Sequence, residues 1–203
     1  MQTETTRLPG VLVLTPRVIR DARGQFCETW RRDRLAEAGI DLEFVQDNES
    51  LSALPGTLRG LHYQAPPHAQ AKLVRVIAGA ILDVAVDVRA GSPHYGAWVA
   101  VELSAENARQ MLVPAGFLHG FVTRAPDTVV AYKCSDVYAP DCDGAVAFAD
   151  PDLAIDWGID PARAIVSEKD ARAPRFADWQ SPFAWDGPLP WETGPREMRE
   201  GRA

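Results

Sequence analysis

Two histidines and a lysine in this 203-residue chain have surroundings that suit proton chemistry. His62 follows Gly60, and a glycine there lets a ligand or another backbone segment approach closely. His119 begins a later β-rich segment, and Lys72 begins a strongly apolar one. Imidazoles act as general acids and bases near neutral pH, and a lysine that faces a pocket can stabilise a developing negative charge. A lone histidine is usually a structural residue, so the surrounding pattern carries the weight.

Two histidines that enter a β-barrel also suggest a metal site of the cupin type. Such a site takes two histidines and a carboxylate from adjoining strands. Here Gln64 stands where a metal cupin offers its second histidine, and Lys72 stands where it offers glutamate. A protonated lysine has no lone pair and repels a metal ion. We therefore expect no metal, and a metal-dependent cupin dioxygenase or isomerase is kept as an alternative.

The elements that must position these residues are short β-rich segments separated by Gly, Pro or Asp turns. They recur about every ten residues and do not alternate with long helices, which favours a sandwich or barrel over βαβ units. One short helix is predicted over 32–38, ending at Gly39. The prediction is a mostly β chain, a jelly-roll barrel with short peripheral helices. The β-rich segments are 11–14, 58–64, 72–78, 81–89, 98–103, 110–113, 119–123 and 128–135.

Side-chain alternation predicts which faces these strands bury. Residues 81–89 carry leucine and valines on one parity and Asp83 and Asp87 on the other, a pattern typical of a half-buried strand. In the strand that contains His62, regular alternation places Arg59 on the opposite face. The two side chains are therefore expected to point in different directions.

Composition and charge exclude several classes of protein. Hydrophobic residues make up 46% and charged residues 24%, the balance of a globular chain with a proper core. The net charge of −7 argues against duplex nucleic acid as the main partner, but not against a small anion in a basic pocket. Three cysteines are too few for a disulfide framework, and neither a signal peptide nor a membrane helix is apparent. We expect a cytoplasmic protein with no membrane partner.

The β pattern weakens after about residue 150, and the region beyond Pro174 is rich in tryptophan and proline. We predict a jelly-roll domain over residues 1–175, including an N-terminal arm. Residues 176–203 are predicted to form a tail that packs on the barrel or on a partner subunit.

Several ordered motifs carry a more specific resemblance. Over about residues 7–175 the sequence resembles the dTDP-4-dehydrorhamnose 3,5-epimerase family. Motifs in this order and over this length are far more specific than any lone pattern. The matching runs are 21–28, 46–48, 58–64, 72–76, 113–121, 132–136 and 167–170.

The resemblance implies a fold and a reaction. Members of the family are cupin-type jelly rolls, usually homodimers that exchange N-terminal strands, and they work without a cofactor. They epimerise 4-keto-6-deoxyhexoses carried on thymidine diphosphate. A base removes the proton α to the C4 ketone, at C3, C5 or both, and an acid returns a proton to the other face.

The resemblance also assigns roles to individual residues. His62 is implied as the base, and Asp170 as the carboxylate that orients it. Tyr132 is implied as the acid on the opposite face, and its ordinary pKa of about 10 keeps it protonated at neutral pH. Lys72 is implied to face the developing O4 oxyanion, with His119 nearby.

Substrate binding is implied for a second group of residues. The guanidinium groups among them suit pyrophosphate oxygens. The group consists of Arg23, Phe26, Glu28, Gln46, Asn48, Arg59, His119, Tyr138, Asp143 and Lys169.

Three departures from the family pattern bear on specificity. Asp143 stands where the family more often has glutamate, Val137 replaces an aromatic residue, and residues 145–149 lack an expected tryptophan-containing run. These changes leave open whether C3, C5 or both are inverted. A 3,4-ketoisomerase acting on the same nucleotide sugar and a non-catalytic binding module are kept as further alternatives.

Overall fold

The computed structural model describes residues 1–193 and contains thirteen strands and two short α-helices within them. Helix α1 spans Arg32–Glu37 and helix α2 spans Glu168–Ala171. The strands are β1 Gln2–Thr5, β2 Leu12–Thr15, β3 Val18–Asp21, β4 Gly24–Cys27, β5 Gln46–Ser52, β6 Leu58–Gln64, β7 Lys72–Ala78, β8 Ala80–Asp87, β9 Trp98–Ser104, β10 Gln110–Val113, β11 Phe117–Thr123, β12 Thr128–Cys134 and β13 Asp143–Ala145.

The strands form two antiparallel sheets that face each other, and a separate hairpin. One sheet has six strands in the order β1-β2-β10-β7-β12-β5, and the other has five in the order β13-β6-β11-β8-β9. Strands β3 and β4 pair only with each other among the described residues. This arrangement confirms the predicted mostly β jelly-roll barrel with short peripheral helices.

The strand predictions agree with the structure in full for three strands. Strands β6, β7 and β10 have the predicted bounds. The sequence did not predict β5, because Gln46–Ser52 consists almost entirely of polar residues. This strand alternates between half-buried and exposed positions, and polar side chains occupy both.

Three apolar clusters hold the layers together. The first lies between the two sheets and includes Val74 and Met111 from one sheet and Ile81 and Phe117 from the other. The second covers the outer face of the five-stranded sheet, where the segment 146–183 packs. The third covers part of the outer face of the six-stranded sheet with α1 and the loop that follows it.

Strand β8 is buried on both faces, so the prediction of a half-buried strand is wrong. Its leucine and valines pack beneath the segment 146–183, while Asp83 and Asp87 point into the barrel and have no exposed surface. Two aspartates inside a barrel require polar partners, since an unpaired buried charge is costly. Asp87 pairs with Arg89 at 2.7 Å. The partner of Asp83 lies in the candidate active site.

The C-terminal region lies against the barrel as far as it is described. Phe183 is buried in the second cluster, and Trp191 Nε1 donates a 2.9 Å hydrogen bond to the carbonyl of Gly10. The division of the chain at residue 175 stays a prediction, and residues 194–203 of the predicted tail lie outside the described residues. Within residues 1–193, none of the helices has both the length and the apolar character needed to cross a membrane.

An extra residue in β6 changes the direction of its side chains. His62 pairs with His119 and Arg59 pairs with Phe121, so three steps along β6 match two steps along β11. This is a β-bulge. Gly60 lies within it at φ +134°, and a Cβ at this position would lie 2.6 Å from the Cα of Gly120. The predicted separation of Arg59 from His62 is therefore wrong, because both side chains line the same cavity.

The bulge generates a stability prediction. Gly60→Ala is expected to lower the free energy of unfolding by about 3–5 kcal/mol, because it combines backbone strain with a clash against a neighbouring backbone. Gly91→Ala is the matched control: Gly91 has φ +89° with no atom within 4 Å of the added Cβ. Strain alone should cost about 1–2 kcal/mol there. Urea unfolding measures both, and equal losses would contradict the close backbone contact.

Candidate active site

A cavity of about 430 Å³ opens between the two sheets. Its walls combine residues that are far apart in the chain, from both sheets and from helix α2. The cavity is lined by all four residues that the resemblance implied for catalysis, which are His62, Lys72, Tyr132 and Asp170. Three of the residues implied for substrate binding also line it, namely Arg59, His119 and Lys169.

His62 and Asp170 form a short, largely buried pair. His62 Nε2 and Asp170 Oδ1 lie 2.6 Å apart, and the aspartate side chain is 3% exposed. Burial by itself raises the pKa of Asp170, but the hydrogen bond and charge of His62 and the amide of Gly60 outweigh it, and the pKa lies below its ordinary 3.8. An ionised carboxylate only accepts hydrogen bonds, so Nε2 carries the proton and Nδ1 of a neutral imidazole keeps its lone pair.

Helix α2 fixes the carboxylate in this pair. Ser167 caps the helix by accepting a 3.1 Å hydrogen bond from the backbone N–H of Asp170. The backbone N–H of Gly60 faces the carboxylate itself and lies 3.5 Å from Asp170 Oδ2. The bulge in β6 and the cap of α2 therefore orient the same side chain.

A second histidine–aspartate pair lies beside the first. His119 Nε2 and Asp83 Oδ1 lie 2.7 Å apart, and both side chains are buried. Burial raises the pKa of Asp83 above its ordinary 3.8, against the opposing effect of His119. The sequence analysis missed Asp83 as a site residue. The available signal is the polar parity within an otherwise apolar strand, but alternation alone assigns that parity to the exposed face of a half-buried strand.

Lys72 and Tyr132 lie close together in the cavity wall. The Nζ atom of Lys72 is 5.9 Å from the centroid of the Tyr132 ring. Burial lowers the pKa of Lys72 below its ordinary 10.5, although Cys134, Asp143 and Asp83 oppose the shift. Burial also raises the pKa of Tyr132 above 10.0, so its hydroxyl keeps its proton at neutral pH.

Four predicted binding residues lie outside the cavity lining, but hydrogen bonds link them to each other and to Lys169 in the cavity wall. We call them the rim residues: Gln46, Asn48, Tyr138 and Asp143. Asp143 bonds to the ammonium of Lys169 and lies 3.5 Å from the hydroxyl of Tyr138. Gln46 donates a 3.1 Å bond to Asn48 and accepts one of 2.8 Å from the backbone of Tyr138.

Three basic side chains line the cavity, those of Arg59, Lys72 and Lys169. Cationic side chains close together suit an anionic ligand even in an acidic protein. Among residues 1–193, no group of three or more His, Cys, Asp or Glu side chains is arranged to hold a metal ion.

Three predicted binding residues lie away from this cavity within one chain. Arg23, Phe26 and Glu28 belong to the β3–β4 hairpin or follow it, and all three are exposed. Arg23 forms an ion pair with Asp21, and Phe26 is 69% exposed. The structure of a single chain does not bring them to His62.

Comparisons with known proteins give the same picture of the chain. The family model described as dTDP-4-dehydrorhamnose 3,5-epimerase matches residues 5–178. The chain belongs to this family. The family's enzyme from Pseudomonas aeruginosa is 47% identical over 179 residues, which are 88% of this chain and 97% of that protein.

Solved structures of family members are also similar. The enzyme from Bacillus anthracis, with TDP and pyrophosphate bound, superposes with a TM-score of 0.83 at 44% identity. That match covers 86% of this chain and 99% of the other. A dTDP-6-deoxy-D-glucose-3,5-epimerase from Legionella pneumophila, in complex with dTDP-4-keto-L-rhamnose, gives 0.82 at 44% identity, covering 86% and 92%.

The aspartates of the two histidine–aspartate pairs in this epimerase-family chain generate a pH prediction. Asp170→Asn should destabilise the protein most above pH 3.8, because a lowered pKa means that the ionised carboxylate favours the folded state. The difference from wild type should shrink as the pH falls below that value. Urea unfolding between about pH 3 and pH 8 measures it.

Asp83→Asn is the matched comparison, and the sign is reversed. A raised pKa means that the protonated form of Asp83 favours the folded state, so the advantage of wild type over this variant should decline as the pH rises above 3.8. Parallel pH profiles for the two variants would contradict the opposite environments of the two carboxylates.

Proposed function

We propose that this protein epimerises C3 and C5 of a dTDP-linked 4-keto-6-deoxyhexose in deoxysugar biosynthesis. The proposal rests on one observation above all. The oriented His62–Asp170 pair and the Tyr132 hydroxyl come from different walls of one cavity, inside a chain of the 3,5-epimerase family. Inversion of a ring carbon needs a base on one face and an acid on the other.

The first step assigned to the site is removal of a proton next to the C4 ketone. His62 Nδ1 accepts the proton, because Nε2 is engaged with Asp170. The imidazolium that forms then lies against an ionised carboxylate. Such a pair stabilises the charged imidazole and fixes its orientation, as in other histidine–aspartate dyads.

The second requirement is stabilisation of the enolate oxygen. Lys72 on β7 of the six-stranded sheet and His119 on β11 of the five-stranded sheet both line the cavity and carry N–H donors. A lysine whose pKa is lowered by burial is a stronger acid than an exposed one, and its hydrogen bond to an enolate oxygen is correspondingly stronger. Asp83 orients His119 in this assignment.

Tyr132 donates its own hydroxyl proton to the ring carbon from the opposite face, and exchange with solvent then restores the tyrosine hydroxyl and removes the proton held by His62. Tyr132 lies on β12 in the six-stranded sheet, whereas His62 lies on β6 in the five-stranded sheet. Facing sheets are about 10 Å apart, which leaves room for a sugar ring between the two groups. A proton taken toward one sheet and returned from the other inverts the carbon.

We also propose a homodimer in which the β3–β4 hairpin reaches the partner's cavity. Phe26 and Ile19 on the hairpin are more than half exposed, which is unusual for apolar side chains on an isolated element. The outer face of the six-stranded sheet likewise exposes Leu51 and Ile77. Within this dimer, Arg23, Phe26 and Glu28 supplement Arg59 and the rim residues around the nucleotide.

We further propose that the enzyme acts in the cytoplasm. Cys27, Cys134 and Cys142 are all free thiols, which persist in a reducing compartment.

The reaction can be tested by NMR of dTDP-4-keto-6-deoxyglucose in D₂O. Wild-type enzyme should place deuterium at both C3 and C5. His62→Asn should lower kcat by at least about 10³-fold and abolish labelling, since no other group is assigned to remove the proton. Labelling at the wild-type rate in that variant would remove His62 from the mechanism.

Tyr132→Phe is the control that separates the two half-reactions. It should keep deuterium exchange, because His62 can return solvent deuterium to the face from which the proton was taken, and it should slow formation of the epimer.

Two other outcomes of the wild-type experiment would change the assigned reaction. Deuterium at only one of C3 and C5 would restrict the activity to a single centre. A shifted carbonyl would indicate a ketoisomerase.

The exchanged dimer predicts complementation between two impaired variants. Arg23→Ala should lower kcat/KM by about tenfold or more, because a charge-assisted contact to phosphate is lost. Coexpression with His62→Asn should restore about a quarter of wild-type activity, since random pairing makes half of the dimers mixed, each with one intact site. Activity no higher than the sum of the two separate variants would place Arg23 in its own chain's site.

A further inference from the structure

Gln64 is the last residue of β6 and is 5% exposed. Its carboxamide bonds entirely to the backbone of two loops. The Nε2 group donates a 2.9 Å hydrogen bond to the carbonyl of Val137 and another to that of His68. The Oε1 atom accepts a 2.9 Å hydrogen bond from the N–H of Ala139.

These bonds hold the loop on both sides of Tyr138. The N–H of Tyr138 itself donates to Gln46 Oε1 at 2.8 Å. Three consecutive residues are therefore fixed by two glutamines, one from each sheet. Tyr138 is 57% exposed, so its ring has few packing contacts to hold it in place. Backbone contacts set its position instead.

The position of Tyr138 matters because its hydroxyl reaches the rim of the cavity. It lies 3.5 Å from Asp143 Oδ2, and Asp143 bonds to Lys169, which lines the cavity. Asp143 is also the residue directly opposite Gln64 in the β13–β6 ladder. Gln64 is thus linked to the loop of Tyr138 through its side chain, and to Asp143 through the backbone pairing of β6 with β13.

We propose that Gln64 is a positioning residue that holds Tyr138 against Asp143 and Lys169, so that the rim can enclose the sugar of the nucleotide substrate. This inference rests on the proposed epimerase function. It also gives a role to the residue that occupies the second-histidine position of a metal cupin. The amide there binds a loop rather than an ion.

A glutamine is suited to this task because it supplies two donors and an acceptor at fixed spacing. Val137 is exposed and His68 and Ala139 are half-buried, so water can reach the three backbone groups that lose their bonds, and the fold loses little when those bonds are removed. The main consequence is a displaced loop. A displacement of about 1 Å in a substrate-positioning group can cost up to about 10²-fold in rate.

The test is a double-mutant cycle. Gln64→Met keeps the side-chain length and removes the hydrogen bonds, and it should lower kcat/KM by about 10- to 100-fold. In a Tyr138→Ala background the same change should cost less than about twofold, because Gln64 acts through Tyr138. An equal loss in both backgrounds, or full kcat/KM in Tyr138→Ala alone, would overturn the proposal.

Matched variants separate this role from general stability. Gln70 donates a single 2.8 Å bond to the carbonyl of Asp136 in the same loop, and Gln70→Met should leave kcat/KM within about twofold. A loss as large as that of Gln64→Met would also overturn the proposal. If Gln64→Met does not fold, Gln64→Glu replaces it, since the carboxylate keeps the acceptor for Ala139 and loses both donors.

Amide hydrogen exchange distinguishes failure of this inference from failure of the proposed function. Exchange at Tyr138 and Ala139 should be faster in Gln64→Met than in wild type, whatever reaction the enzyme catalyses. Unchanged exchange rates at both amides would show that Gln64 does not hold the loop. If exchange is faster in Gln64→Met but the wild-type protein has no epimerase activity, the proposed function is refuted, and with it the assignment of the rim to this substrate.

Discussion

A buried carboxylate is stable inside a β-barrel only when neighbouring groups replace its water. Asp170 meets this requirement through His62, the backbone N–H of Gly60 and the side chain of Ser167, which also caps helix α2. Each of these groups depends on a different part of the fold. The chain after β13 must return across the five-stranded sheet to deliver the helix. The bulge in β6 must turn His62 inward, and a glycine must stand where two backbones meet.

The interior of the barrel combines a conventional apolar core with a polar site. Valines and phenylalanines of the first cluster fill one part of the space between the sheets. Asp83, His119 and Lys72 occupy the other, where burial moves the pKa of the aspartate up and that of the lysine down. Both shifts disfavour the charged forms, which costs stability. Shifted pKa values of this kind cluster at functional sites, which agrees with the roles proposed for these residues.

The two-sheet architecture also explains how one cavity can place side chains on opposite faces of a sugar ring. Groups on a single sheet would approach a bound sugar from one side. Here His62 and Tyr132 come from separate sheets and line the same cavity. The rim is also held from both sheets, because Gln46 and Gln64 each contribute one side-chain amide that binds the loop carrying Tyr138.

Alternation and turn residues were enough to predict the strand bounds of β6, β7 and β10 and the jelly-roll class, since these depend on local patterning. The partnership of His62 with Asp170, 108 residues apart, came from motif resemblance and not from any local signal. Only the tertiary structure decided that Asp83 faces inward and that Arg59 shares a cavity with His62. Alternation shows that two faces of a strand differ. Which face is covered depends on a distant segment packing over it, and where alternation breaks depends on contact with another backbone.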